Sequence, residues 1–213
     1  YCGLIAQIDH LVGEILQALE DTGQLDNTVI FFASDHGDYL GDHNLIGKGH
    51  FFEASCHVPL IARVPGQPGG RERDELVALA DINPSMIQTA GCAVPDYCDF
   101  QPLPGIGLAE SAPREYLYGM MAGGWMAFDG RHKLCKYASG EHMLFDLEKD
   151  PTEIDNRISD DCENRELLDA ALTREIMRSV LAARHDQLVY GTDLSGDRDF
   201  GQPGWQRTYP QPL

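Results

Sequence analysis

The chain has 213 residues, 43% of them hydrophobic, which is enough to bury one sizeable core or two small ones and too apolar for a disordered segment. Its 34 acidic residues outnumber 16 basic ones, and a net charge of −18 repels nucleic-acid backbones and anionic lipid surfaces. No apolar run approaches the roughly 20 residues of a membrane span, so neither nucleic acid nor membrane is an expected partner. Six cysteines (Cys2, Cys56, Cys92, Cys98, Cys135, Cys162) form no CxxC pair and are expected to be reduced, mostly structural thiols. An acidic chain still binds a small anion where a metal ion and a lysine reverse the field inside one cleft.

Leu4, Ile5, Ile8, Leu11, Val12, Ile15, Leu16 and Leu19 recur at three- and four-residue steps and predict an amphipathic helix that Gly23 ends. After a turn at Asp26-Asn27, the β-branched and aromatic run from Thr28 to Ala33 predicts a strand covered on both faces. A second strand is expected within Val58–Gly66, and Asp81-Ile82-Asn83-Pro84 reads as a helix start that Gly91 stops. Proline and glycine from Val94 to Pro113 suggest a boundary or a crossing segment. Four short runs follow, 116–121, 125–128, 133–137 and 143–147, as expected of an antiparallel sheet. Leu167, Leu168, Ala171, Leu172, Ile176, Val180 and Leu181 give one more helix. The tail from Gly191, with aromatic anchors Trp205 and Tyr209, reads as irregular.

Ser34-Asp35-His36-Gly37-Asp38 begins where the first strand ends, the place where ligand sites of open α/β sheets collect. Neighbours on a regular strand point to opposite faces, but a strand end followed by glycine can turn and let Asp35 and His36 converge. A carboxylate and an imidazole form part of a donor set for a divalent cation, with the remaining ligands supplied from elsewhere. A plainer alternative has Asp35 capping a helix and His36 packing beside it. Cys56-His57 forms no catalytic dyad, because neighbours on an extended segment diverge.

The run from Asn27 to Asp38, Leu40-Gly41-Asp42-His43, Lys48 and His57-Val58-Pro59-Leu60-Ile61 closely resembles the sulfatase family of the alkaline phosphatase superfamily. The likeness continues in Asp9 and Gly13, in Asp81-Ile82-Asn83-Pro84-Ser85 with Ala90-Gly91, in Leu144-Phe145-Asp146-Leu147, and in Asp150-Pro151-Thr152-Glu153 with Asn156. The blocks run in the family's order, and they match its C-terminal half. The resemblance implies an α/β fold. Residues 1–112 would be the C-terminal part of the catalytic domain, a mixed or parallel sheet with flanking helices. Residues 113–213 would form a small α+β subdomain with an antiparallel sheet and a helix.

By the same resemblance Asp35 and His36 match the second pair of metal ligands, and Lys48 matches the lysine that contacts the sulfate and the bridging oxygen. Cleaving an anionic ester builds charge on its oxygens, which a divalent cation and an amine stabilise. His43 and His50 share the loop of Lys48 and either line the substrate pocket or are plain surface histidines. The family implies one divalent ion, calcium, although the imidazole of His36 suits manganese or zinc better.

The family's nucleophile is a formylglycine made from cysteine in a Cys-x-Pro/Ala-x-Arg context, and none of the six cysteines has an arginine four residues on. The nucleophile is therefore expected from a preceding half of the same protein, with the 213 residues alone inactive. The expected substrate is a small anionic ester, and an incomplete sheet would favour the preceding half or a second copy as partner. The expected reaction is hydrolysis of sulfate monoesters. Phosphonate monoester or phosphodiester hydrolysis and a non-catalytic module of the same fold remain open, whereas a two-metal phosphatase is less expected because the sequence shows no second Asp-x-x-x-His set.

Overall fold

The computed structural model describes residues 1–95, 97–106, 112–121, 123–159 and 163–191, with side chains of the last helix described to Leu181. Cys162 and the expected irregular tail with Trp205 and Tyr209 lie outside the described residues. The chain divides into two compact units, one of Tyr1–Leu117 with Asp150–Ile154 and the other of Tyr118–Lys149 with Asp155–Leu213.

In the first unit, helix α1 (Cys2–Asp21) forms where the apolar periodicity predicts it. It closes in a Schellman motif, with Gly23 N–H donating to Glu20 O at 2.9 Å and Gln24 N–H to Leu19 O at 2.8 Å. Gly23 meets the left-handed conformation this demands, at φ 68°. No residue of α1 is buried, and Leu4, Ile5, Ile8, Leu11 and Ile15 are 46% to 64% exposed. Strand β1 (Ile30–Ala33) pairs antiparallel with β2 (Leu60–Arg63), Ile30 opposite Arg63 and Ala33 opposite Leu60. The sequence leads one to expect β1 covered on both faces; instead Phe32 is exposed and no residue of β1 is fully buried. The reason is that β2 is its one sheet neighbour among the described residues. Arg63 ties the turn before β1 to β2, with Nη1 donating to Leu25 O at 2.6 Å. Between the strands lies a four-residue helix, α2 (Glu53–Cys56).

Helix α3 (Ile82–Thr89) starts and stops where the sequence places it, with Gly91 repeating the Schellman geometry of Gly23. Its entry is organised by Asp81, which is fully buried and bonded at both carboxylate oxygens by Arg114, the Nη2 to Oδ1 contact being 2.6 Å. Asp81 also takes the Ala78 N–H at 2.8 Å, and Ser85 Oγ donates to Asp81 O while accepting the Leu103 N–H.

In the second unit, β3 (Leu117–Met121), β4 (Gly124–Phe128), β5 (His132–Tyr137) and β6 (His142–Asp146) form a four-stranded sheet in chain order. The β4–β5 and β5–β6 pairs are antiparallel, as the spacing of turn residues predicts. Helix α4 (Glu163–Gly191) packs on β4 and β5, burying Leu168, Ala171 and Leu172. Ala127, Leu134, Cys135, Leu144 and Phe145 form the sheet's share of the core. Leu167, Val180 and Leu181, predicted for the same stripe, are exposed, so the packed part of α4 is shorter than its periodic pattern.

Asp146 accepts two hydrogen bonds from Arg131, at 2.8 and 2.9 Å, and Lys149 Nζ lies 3.3 Å away. Arg131 holds the Asp146 carboxyl well below the usual carboxylate range, against the opposing effect of burial, with Lys149 assisting.

Two predictions follow from these ion pairs. Removing Arg114 leaves a fully buried carboxylate uncompensated, so Arg114→Ala is expected to cost about 3–5 kcal/mol; an unchanged urea midpoint would contradict this. The depressed Asp146 pKa means its stabilisation is complete above the unfolded-state value near about 4 and is lost as pH falls through the folded value. Arg131→Gln should therefore flatten the loss of urea stability between about pH 5 and pH 2 relative to wild type. Parallel curves for the two proteins would show that the pair contributes nothing.

Candidate functional site

Where β1 ends, the backbone turns and each polar group finds a local partner. Ser34 Oγ donates to His36 O at 2.7 Å, and Asp35 Oδ1 accepts the His36 N–H at 3.0 Å. His36 Nδ1 lies 2.8 Å from Gly37 O. A carbonyl only accepts, so Nδ1 carries a proton, and it is Nε2 whose lone pair can serve a metal. That Nε2 sits 3.4 Å from Asp35 Oδ2, so the two adjacent side chains converge. The imidazole is partly exposed and the carboxylate is 84% exposed. Two acceptors facing each other at this range repel unless a proton or a cation lies between them, which suits the pair to holding a divalent ion. The donor set is partial: among the described residues no group of three or more His, Cys, Asp and Glu side chains is placed to hold a metal.

The turn is set by close approach to α2. Gly37 N–H donates to Ser55 O at 2.9 Å, and a Cβ on Gly37 would lie 2.0 Å from Ala54 O. Only glycine fits there. Asp38, beside the pair, is engaged in the backbone, its Oδ1 accepting the N–H of Leu40 at 2.9 Å and of Gly47 at 3.3 Å. Loop 38–50 is tightly wound, and Leu40, His43, Asn44 and His50 all have positive φ between 50° and 63°. Tyr39 and Phe51 are buried beneath it. Burial pushes the Tyr39 phenol above its usual value; the nearby Ser55 hydroxyl opposes this, and the charges of Cys56 and Glu153 add to it.

Lys48 is exposed and makes no hydrogen bond or ion pair among the described residues, so its ammonium is free to take an anion. His43 stacks on Phe52, ring centroids 3.8 Å apart and 15° from parallel. His50 is exposed, its ring 6.2 Å from that of Phe52. The two histidines thus share one aromatic side chain in the loop that carries Lys48. Cys56 Sγ donates to His50 O and His57 Nδ1 pairs with Glu53 at 2.8 Å, so this neighbouring Cys and His engage different groups.

Residues 1–92 match the sulfatase family model. An arylsulfatase of Clostridium perfringens is 35% identical, over 91% of this chain and 42% of its own length. The chain belongs to the sulfatase family. Its fold is that of this family too. A phosphonate monoester hydrolase of Agrobacterium radiobacter superposes with TM-score 0.66 at 33% identity, covering 87% of the chain and 40% of that structure. Another, from Silicibacter pomeroyi, gives TM-score 0.72 at 28% identity, covering 85% and 40%. The chain thus spans about two fifths of the length of these relatives.

Two residues that hold the site together carry no signal as functional residues in the sequence. Ser55, buried on α2, uses its carbonyl for Gly37 and its hydroxyl for the Gly49 N–H at 3.3 Å, bridging the segments that carry His36 and Lys48. Glu153 lies 100 positions from its partner, donating nothing and accepting the Glu53 N–H at 2.6 Å. The Asp150-Pro151-Thr152-Glu153 block marks Glu153 only as part of the family pattern.

Gly37→Ala is expected to force β1's end away from α2 and to destabilise by about 1–3 kcal/mol or more, the range for overpacking a tight contact. Thermal unfolding checks it, and an unchanged midpoint would mean that the approach relaxes freely.

Proposed function

We propose that these residues form part of a hydrolase of sulfate monoesters, with Asp35 and His36 on one side of a divalent cation and Lys48 on the ester's anionic oxygens. The observation that carries the reading is the convergence of His36 Nε2 on Asp35 Oδ2 at 3.4 Å, with a lysine in the following loop that is unengaged among the described residues. The divalent ion, when bound, would polarise the ester and stabilise negative charge on its oxygens. The family pattern favours calcium, and the imidazole admits manganese or zinc.

The residues present divide the remaining work. Gly37 O keeps the proton on His36 Nδ1 and so keeps Nε2 available. In a chain of net charge −18, Lys48 gives an anion a local positive centre, and its charge acts most strongly on oxygens that gain charge in the transition state. His43, held flat against Phe52, and His50 are the further candidate contacts to substrate. The nucleophile in this reading is a formylglycine hydrate from a further part of the protein.

The likeness to two phosphonate monoester hydrolases supports a second reading, in which the ester is a phosphonate. Steady-state turnover of an aryl sulfate against the matching aryl phosphonate by the full-length protein separates them. The larger kcat/KM is expected for sulfate, and a preference for phosphonate would overturn the first reading.

Asp35→Ala is expected to strip the metal without unfolding, since the carboxylate is exposed; elemental analysis matching wild type would refute the ligand assignment. Lys48→Ala should lower kcat on the order of 10²-fold. A rise in KM alone would show that Lys48 serves only ground-state binding.

A further inference from the structure

We infer that Glu153 is a positioning residue for the site: by holding the start of α2 it fixes the clamp through which Ser55 sets His36 against Lys48. The inference rests on the hydrolase reading above and extends it to a residue far from the reacting groups in sequence. Asp150–Ile154 belongs by contact to the first unit, although the chain on both sides of it belongs to the second. Within that excursion Glu153 is 3% exposed and adopts a left-handed φ of 54°, a conformation that a side-chain-bearing residue keeps only when its surroundings enforce it. Its Oε2 accepts the N–H of Glu53, the first residue of α2, at 2.6 Å. A four-residue helix has almost no stability of its own, so an acceptor at its first amide decides where it sits.

The consequence reaches the site in two hydrogen bonds. Ser55, on the same turn, accepts Gly37 N–H through its carbonyl at 2.9 Å and Gly49 N–H through its hydroxyl at 3.3 Å. Gly37 follows His36 and supplies the carbonyl that sets its tautomer, and Gly49 follows Lys48. Moving α2 therefore moves both segments. A displacement near 1 Å between groups acting on one substrate is enough to cost on the order of 10²-fold in rate.

The test uses the full-length protein with Glu153→Ala, Glu153→Gln, Ser55→Ala and the double variant Glu153→Ala/Ser55→Ala. Hydrogen exchange at the Gly37 and Gly49 amides reads the clamp directly, and kcat and KM for 4-nitrophenyl sulfate, well below the unfolding temperature, read its consequence. Glu153→Ala is expected to speed exchange at both amides and lower kcat by ~10-fold or more, with KM within about twofold. Glu153→Gln keeps an oxygen that accepts the Glu53 N–H and should restore most of the rate. The double variant should lose no more than the worse single variant, because both changes release one clamp. Should Glu153→Ala fail to fold, Glu153→Asp, whose carboxylate is one methylene short of the Glu53 N–H, carries the same comparison. Unchanged exchange, losses that multiply in the double variant, or faster exchange with unaltered kcat would each overturn the inference. Lys48→Ala is the control for the underlying reading: if it retains wild-type kcat, the hydrolase site is misassigned even where the exchange result stands, and the positioning role falls with it.

Discussion

The separation between the end of β1 and α2 governs the rest of the site. Gly37 approaches Ala54 so closely that a single added carbon would collide, and this proximity allows its N–H to reach Ser55 O. From that contact follow the sharp turn after Asp35, the bond of His36 Nδ1 to Gly37 O, and the convergence of Nε2 on the Asp35 carboxylate. A chain that continued straight from the strand would have placed the two side chains on opposite faces.

Electrostatic sorting then separates a candidate ligand from its neighbours in a strongly acidic protein. Asp38 serves two backbone amides, Glu153 accepts from Glu53 N–H, and Asp81 and Asp146 are held by arginines. Asp35 uses one oxygen on the adjacent amide and leaves Oδ2 outward, 3.4 Å from His36 Nε2. An acidic residue count could never make that distinction. It depends on which carboxylates the backbone has already claimed.

Much of the fold was legible in the sequence because local rules act without competition there. The two helix stops at Gly23 and Gly91, the four-strand meander and the start of α3 after Asp81 follow from glycine conformation, the spacing of turn residues and a proline in the first helical turn. Asp35, His36 and Lys48 were singled out by the strand-end position and the family pattern, and the structure brings the first two together. What escaped was non-local. Ser55 acts through a backbone carbonyl and a hydroxyl shared between two segments, and Glu153 acts across 100 residues, so neither has a periodicity or a neighbour that announces it. The coverage of β1 also eluded the sequence: an apolar run states that a face wants burial and says nothing about which element supplies it.

The most direct measurement is a crystal structure of the full-length protein with manganese, located by its anomalous scattering. The account requires a peak within about 2.0–2.5 Å of both an Asp35 carboxylate oxygen and His36 Nε2, with Nδ1 still bonded to Gly37 O. A metal bound elsewhere, or one that reaches His36 through Nδ1, would contradict it.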